Sequence, residues 1–155
     1  ALGGPLRALR AFERGAEPDA EDRARFASPV ARLREGRWLA ERGATAMIDV
    51  SDGLAGDALH LAESSGVGVE VHEATVPLAP GVIQAAALLG LDPLALALAG
   101  GEDFVLAAAL PRAADLGGVL DCGRFIADPG QRVRMTRSGP LPLAGLAYDH
   151  FRSER

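Results

Sequence analysis

The stretch from residue 44 to residue 66 constrains the fold of this chain more than any other. Residues 44–50 (ATAMIDV) are short and mostly apolar, which predicts a buried β-strand. A polar turn follows at residues 51–53 (SDG), and residues 54–65 then place apolar side chains three and four positions apart, as in a helix. Gly66 supplies the left-handed residue on which such a helix commonly ends. The stretch therefore predicts a strand, an acidic turn and a helix in direct succession.

Further helices are predicted on both sides of this unit. Residues 28–42 begin with an N-cap serine and a first-turn proline and keep helical spacing as far as Gly43. Residues 83–89 have helical spacing, and residues 92–99 begin with Asp-Pro and end at two glycines. The first 27 residues are polar and predict short helical pieces or a linker.

Four further segments predict strands. Residues 67–73 (VGVEVHE) alternate apolar and polar side chains, which predicts a strand with one covered face, and residues 104–110 form an apolar strand. Residues 123–127 and 131–137 flank an Asp-Pro-Gly turn and predict a hairpin. This order predicts an α/β (α+β) fold, a two-layer domain with a mixed β-sheet covered by helices.

Length and cysteine content narrow the class further. A chain of 155 residues, 48% of them hydrophobic, can bury one sizeable core, so we expect a single domain at residues 28–155 after a linker at residues 1–27. One cysteine, Cys122, allows no intrachain disulfide and no zinc-type cluster with the three histidines. No apolar run is long enough to cross a bilayer, and the start of the chain lacks a signal-peptide pattern. We expect a soluble, cytoplasmic protein with no membrane partner.

Charge is distributed unevenly along the chain. Residues 41–110 contain ten acidic residues and one arginine, while the flanking regions are rich in arginine. This acidic middle region argues against a nucleic-acid surface there and is compatible with a phosphate bound through a metal ion. A solvated acidic surface would explain the charge distribution alone equally well. The chain contains no lysine, which excludes a P-loop lysine and Schiff-base chemistry.

The first candidate site is the acidic turn, written IDVSDGL. Asp49, Ser51 and Asp52 come at the end of the predicted buried strand, where α/β folds collect ligands. Carboxylate oxygens suit Mg²⁺, and Ser51 could donate a hydrogen bond to a phosphate. The simpler alternative, somewhat favoured by the local sequence alone, is that Ser51 or Asp52 caps the following helix.

The second candidate site is residues 100–103, written GGED. Two glycines allow a ligand to approach the backbone closely, and the adjacent acids Glu102 and Asp103 precede a strand. Taken alone, this pattern is more often a glycine helix end followed by solvated acids.

Other polar residues have weaker functional interpretations. His60 and His72 are expected to be surface or packing residues rather than ligands, while both roles stay open for His150, which neighbours Tyr148. Asp57, one turn after Asp52, could support a metal site or equally lie on a solvated helix surface.

The two candidate sites, taken together and in this order, resemble the thiamine-monophosphate kinase family of the aminoimidazole ribonucleotide synthetase-like superfamily. The resemblance runs through RWLAERGATAMIDVSDGLAGDALHLAESSGVGVEV, VPLAP, AGGEDFVL and the terminal AYDHF, over most of residues 28–151. IDVSDGL followed by GGED distinguishes the kinase from the sister enzymes of the superfamily.

The resemblance implies transfer of the γ-phosphoryl group of ATP to thiamine monophosphate, with Mg²⁺ neutralising the phosphates. Asp49 and Asp52 would be Mg²⁺ ligands, Ser51 would contact ATP, and Glu102 and Tyr148 would contact the thiamine substrate. No side chain would act as a nucleophile, since metals and positioning supply the catalysis.

The chain departs from the family in two ways. The family usually has a tyrosine and a further acid after GED, where this chain has residues 104–106 (FVL). The amino-terminal domain of the family, which carries more metal-binding aspartates and the main contact of a homodimer, has no counterpart, and residues 1–27 resemble only its trailing edge. We therefore expect little or no activity from this chain alone. Two alternatives stay open: a non-catalytic module that binds phosphorylated ligands or a protein, and a sister ATP-dependent enzyme.

Overall fold

The protein is described by a computed structural model covering residues 2–114 and 117–146. Its described helices are α1 (Gly4–Glu13), α2 (Ala20–Ala27), α3 (Leu33–Glu41), α4 (Leu54–Ser65), α5 (Val82–Leu89) and α6 (Pro93–Ala99). Its described strands are β1 (Ala46–Asp49), β2 (Gly68–His72), β3 (Leu106–Ala109), β4 (Gly123–Ile126), β5 (Arg132–Thr136) and β6 (Gly139–Pro142).

The strands form two sheets. The larger has the order β4-β2-β5-β6, with β2 antiparallel to β4, parallel to β5, and β5 antiparallel to β6. The smaller is the antiparallel pair β1-β3, in register from Ala46 opposite Ala109 to Asp49 opposite Leu106. The prediction of an α/β fold with a mixed sheet and covering helices is confirmed.

Helix α4 lies at the centre of the main core. It packs on β1, β2 and α6, and its fully buried face includes Ala55 and Ala62, whose small side chains let the neighbouring elements approach closely. Val50, Leu98 and Leu143 are also fully buried in this cluster. Each such large side chain contributes roughly 1.5–3 kcal/mol through burial. The core therefore fixes the start of α4, where the acidic turn enters it.

The predicted helix at residues 28–42 was wrong at its beginning. Asp19 caps α2 instead, accepting a hydrogen bond of 2.9 Å from the Glu21 N–H, and Ser28 follows the last residue of that helix. The residue before a proline is disfavoured in the helical conformation, so Ser28 leaves α2 extended ahead of Pro29. Helix α3 begins only at Leu33.

The predicted hairpin between residues 123–127 and 131–137 was also wrong, although both strands form. Strand β2 lies between β4 and β5, so the Asp-Pro-Gly turn crosses the end of β2. Gly68 permits the crossing, because a Cβ there would lie 2.1 Å from the Asp128 carbonyl oxygen. The observed hairpin is β5-β6, and β6 was not predicted.

Strand β2 is covered on both faces, contrary to the prediction of one covered face. Glu70, on the face away from α4, is only 4% exposed. Its carboxylate accepts hydrogen bonds from Arg124 Nε at 2.6 Å and from Gln131 Nε2 at 2.7 Å. Arg124 holds the pKa of Glu70 below its usual value. The polar position at Glu70 is thus occupied by a buried carboxylate that pairs with an exposed guanidinium.

Two features complete the fold. Strand β3 begins at Leu106, two residues later than predicted, because Phe104 has a left-handed backbone.

Among the described residues, no single helix is long and apolar enough to cross a membrane. Helices α5 and α6 together meet that length and composition only as a pair bent by 111°.

Candidate functional site

The acidic turn leaves β1 beside the end of the GGED segment. The Val50 N–H donates to the Val105 carbonyl oxygen at 2.8 Å, and the Phe104 N–H donates to the Val50 carbonyl oxygen at 2.8 Å. Val50 therefore bonds to two successive residues of the other segment, just beyond the last pair of the β1-β3 register. Asp49 is exposed at the end of β1. The antiparallel pairing therefore brings together two segments that lie about fifty residues apart in sequence.

The alternative that Ser51 or Asp52 caps α4 is wrong. The N-cap residue is Gly53, with a φ of 89°, and no side chain fills the capping role there. A Cβ at Gly53 would lie 2.6 Å from the Leu98 carbonyl oxygen, so glycine is needed both for its backbone angle and for contact with the end of α6. Ser51 and Asp52 are half-buried in the turn that precedes the cap.

Asp57 fixes the backbone of the acidic turn through hydrogen bonds. It is 1% exposed, and its Oδ2 atom accepts hydrogen bonds from the Ser51 N–H at 2.9 Å and the Asp52 N–H at 3.0 Å. Burial raises the pKa of Asp57, while the two backbone hydrogen bonds oppose that shift. The alternative of a solvated helix surface for Asp57 is therefore wrong.

Side-chain ligand atoms of Asp52, Asp57 and His60 lie within 4.8 Å of one another. His60 is exposed, with Nδ1 3.8 Å from the Asp57 Oδ1 atom. Asp49 is not part of this group. Carboxylate oxygens are the ligands that Mg²⁺ prefers, so the exposed Asp49 and half-buried Asp52 fit such an ion in kind. Asp57 Oδ2 is already occupied by two backbone N–H groups, which fits a supporting role.

The GGED segment packs directly against the acidic turn. A Cβ at Gly101 would lie 1.9 Å from the Ser51 carbonyl oxygen, so only glycine permits this approach. The Glu102 N–H then donates to that same oxygen at 2.9 Å. Two non-glycine residues, Glu102 with φ 66° and Phe104 with φ 46°, have left-handed backbones, a conformation common at functional sites and uncommon elsewhere.

The sequence pattern identifies Asp103 only as one of two adjacent acids. In the structure it is buried, with 8% of its surface exposed. Its oxygens accept the Gly3 N–H at 2.9 Å and 3.2 Å. Burial raises the pKa of Asp103 to about 6, opposed by the hydrogen bond from Gly3. No local sequence signal could have revealed a contact between residues one hundred positions apart.

The predicted site residues thus fall into three groups. Ser51 and Glu102 are joined through a backbone hydrogen bond, and Asp52 lies in the same turn. Asp49 lies two residues before Ser51 on β1. Tyr148, the predicted aromatic substrate contact, lies outside the described residues, as does His150.

One family of known proteins matches the part of the chain that contains both motifs. The family described as AIR synthase related protein, C-terminal domain, matches residues 7–125. The chain belongs to this family. The matched range includes both the acidic turn and the GGED segment of this AIR synthase related domain.

Two curated relatives of this AIR synthase related domain are both named thiamine-monophosphate kinase. A thiamine-monophosphate kinase from Methanopyrus kandleri is 42% identical over 104 residues, which cover 66% of this chain and 34% of the relative. A thiamine-monophosphate kinase from Pyrococcus horikoshii is 35% identical over 97% of this chain and 48% of the relative. The chain therefore spans one third to one half of the length of these curated relatives.

Solved structures resemble the AIR synthase related domain as well. The structure of AaThiL complexed with AMPPCP and TMP superposes with a TM-score of 0.74 at 28% identity, covering 86% of this chain and 46% of that chain. The likeness again extends over about half of the solved protein.

Proposed function

We propose that this chain is the carboxy-terminal domain of a thiamine-monophosphate kinase and carries part of its ATP and substrate site. The contact between the acidic turn and the GGED segment, through the Glu102 N–H and the Ser51 carbonyl oxygen, carries the proposal. It places a hydroxyl and carboxylates of both segments on one part of the molecule. The relatives named thiamine-monophosphate kinase and the similar AaThiL complex with AMPPCP and TMP support it.

The proposed reaction transfers one phosphoryl group. An oxygen of the thiamine monophosphate phosphate forms a bond to the γ-phosphorus of ATP, while the bond from that phosphorus to the β–γ bridging oxygen breaks. ADP leaves with the electron pair of that bond, and thiamine diphosphate forms. Since the acceptor is already an anionic phosphate oxygen, no side chain has to act as a nucleophile, and positioning dominates catalysis.

In this proposal the side chains of the two motifs divide the binding work. Asp49 and Asp52 would hold Mg²⁺, which when bound neutralises negative charge on the phosphates. The Ser51 hydroxyl would donate to a phosphate oxygen of ATP. Glu102, an exposed carboxylate, would contact the positively charged thiamine moiety, together with Tyr148.

Asp57 and the carbonyl of Ser51 keep this arrangement in place. The two backbone N–H groups bound by Asp57 fix the turn from which the Ser51 and Asp52 side chains project. The Ser51 carbonyl in turn fixes the backbone of Glu102. Positioning of this kind supplies much of the catalysis in phosphoryl transfer.

The cytoplasmic location and the homodimer of a full-length enzyme are further parts of the proposal. Cys122 is a free thiol, which is compatible with a reducing compartment.

Isothermal titration tests the proposal. The chain is titrated with ATP and with thiamine monophosphate, each with and without Mg²⁺. We expect ATP binding that requires Mg²⁺, and we expect Asp52→Asn and Ser51→Ala to weaken it. Glu41→Gln and Ser64→Ala are matched controls, because they make the same chemical changes at exposed positions on α3 and α4.

The outcomes separate the alternatives. Mg²⁺-dependent ATP binding that is lost in the site variants and kept in the controls supports the proposal. Absence of binding at millimolar ligand contradicts the claim that this chain holds its share of the site. Equal binding of ATP, inorganic phosphate and unrelated phosphomonoesters favours a non-catalytic phosphate-binding module.

A further inference from the structure

Asp103 lies between two residues with unusual backbone conformations. Glu102 and Phe104 both have positive φ angles although neither is glycine. The side chain of Glu102 is exposed, whereas that of Asp103 is buried. The chain therefore turns sharply at this point, presenting one acid to solvent and burying the next.

The buried carboxylate binds the first residues of the described chain. Both oxygens of Asp103 accept the Gly3 N–H, and Gly3 is the N-cap residue of α1. Leu2, just before it, is 3% exposed and is fixed by hydrogen bonds to Pro77 and Ala79 on either side of Leu78. Asp103 is thus attached to a backbone segment that is itself anchored in the core.

We propose that Asp103 is a positioning residue, which holds Glu102 in its substrate-facing conformation by binding the Gly3 N–H. The identity of the substrate rests on the proposed function, whereas the positioning of the loop does not.

The geometry supports this role because the loop has three separate attachments. The Glu102 N–H is bound by the Ser51 carbonyl oxygen, and the Phe104 N–H by the Val50 carbonyl oxygen. Both attachments face the acidic turn. The hydrogen bond that Gly3 donates to Asp103 instead links the loop to the start of α1. Left-handed conformations at ordinary residues persist only where the surroundings fix them, and removing the third attachment removes part of that constraint.

Burial raises the pKa of Asp103 to about 6, so its surroundings oppose the negative charge, although the carboxylate is still mostly ionised at neutral pH. Groups whose surroundings oppose their charge occur most often at functional sites. The simpler role is capping of α1, because a carboxylate that accepts an N-cap N–H stabilises a helix start. An experiment has to separate loop positioning from capping.

Residue-resolved amide exchange measured by NMR makes that separation. Asp103→Ala and Asp103→Leu are compared with the unaltered chain at one pH, because neither side chain has an oxygen that could accept the Gly3 N–H. Asp19→Ala is the matched control, since Asp19 caps α2 by accepting the Glu21 N–H at 2.9 Å, so this variant also removes a carboxylate from a helix start. We expect the Glu102 and Phe104 amides to exchange about tenfold faster or more in the Asp103 variants and to be unchanged in Asp19→Ala.

Faster exchange confined to α1 in the Asp103 variants would show capping and overturn the proposal. Asp103→Leu, which has nearly the shape of aspartate but no acceptor, decides the question if Asp103→Ala does not fold. Faster exchange at Glu102 and Phe104 with α1 protected supports the proposal.

Ligand titration then connects the loop to the substrate. We expect Asp103→Ala to weaken binding of thiamine monophosphate about tenfold and to change Mg²⁺-dependent ATP binding less than about twofold, because Ser51 and Asp52 keep their attachment to Asp57. Unchanged thiamine monophosphate affinity in a variant with a loosened loop would overturn the positioning of Glu102 for substrate. If the unaltered chain binds no thiamine monophosphate, the proposed function fails, and the exchange data alone decide whether Asp103 positions the loop.

Discussion

The acidic residues of the middle region differ chiefly in burial, and burial separates their roles. Asp49 and Glu102 are exposed and Asp52 is half-buried, so these carboxylates can meet a ligand. Asp57 and Asp103 are buried and accept backbone N–H groups instead. The first three carry the proposed binding chemistry, while the buried two fix the backbone on which it depends.

We expect Asp49→Asn and Asp52→Asn to reduce Mg²⁺-dependent ATP binding more than tenfold while changing the free energy of unfolding by less than about 1 kcal/mol. Neither side chain is fully buried, and substitutions at such positions usually have small effects on stability. Titration calorimetry and urea unfolding of both variants and of Glu41→Gln check this. Equal loss of binding and of stability would show that the two aspartates are structural.

The buried Asp103 predicts a pH dependence of stability. Its pKa rises from 3.8 to about 6 on folding, because burial and Asp22 outweigh Gly3 and Arg25. The folded protein therefore holds this proton more tightly than the unfolded chain, and its contribution to stability falls as pH rises from about 4 to 6.

Between pH 4.5 and 7.5 we expect the unaltered chain to lose about 2 kcal/mol more of its unfolding free energy than Asp103→Asn loses. Urea unfolding of both proteins at the two pH values measures this difference. Parallel curves would mean that Asp103 keeps an ordinary pKa in the folded state.

At the scale of elements, the pairing of β1 with β3 decides where the site lies. The register from Ala46–Ala109 to Asp49–Leu106 brings the acidic turn beside the GGED segment. Helix α4 starts directly after that turn and is buried against β1, β2 and α6. The site therefore rests on elements fixed by the core, which suits precise positioning of a ligand.

The crossing of residues 128–131 over the end of β2 is the second contact between elements that determines the fold. Gly68→Ala is expected to destabilise the protein by about 3 kcal/mol, because the new Cβ would meet the carbonyl oxygens of Asp128 and Gln131 at 2.1 Å and 2.4 Å. Gly36→Ala is the control, since its Cβ would meet only side chains, at 3.6 Å or more, and alanine favours the helix. Thermal unfolding of both variants measures the difference. Equal stability of both would contradict the close approach at Gly68.

At the scale of the whole molecule, the described fold is assembled around one main apolar core. The described core consists of apolar side chains from α4, α6, β2 and their neighbours. The group of Asp52, Asp57 and His60 lies at the start of α4 and outside that apolar cluster.

We therefore expect EDTA to leave the melting temperature of the unliganded chain unchanged and to abolish the stabilisation that ATP and Mg²⁺ produce together. A ligand that binds only the folded state stabilises it by about 2.7 kcal/mol at one hundred times its Kd. Scanning calorimetry with and without EDTA measures both effects. A fall in melting temperature of the unliganded chain would show that a bound ion is part of the fold.

The sequence by itself determined the elements whose signals are local. The strand, acidic turn and helix at residues 44–66, the α/β class and the family motifs are all encoded by spacing, caps and glycines within short windows. Only the tertiary structure decided the rest, because those features depend on contacts between distant residues. The insertion of β2 between β4 and β5 requires Gly68 to meet residues sixty positions away. The burial of Glu70 and Asp103 likewise depends on distant partners that local periodicity does not show.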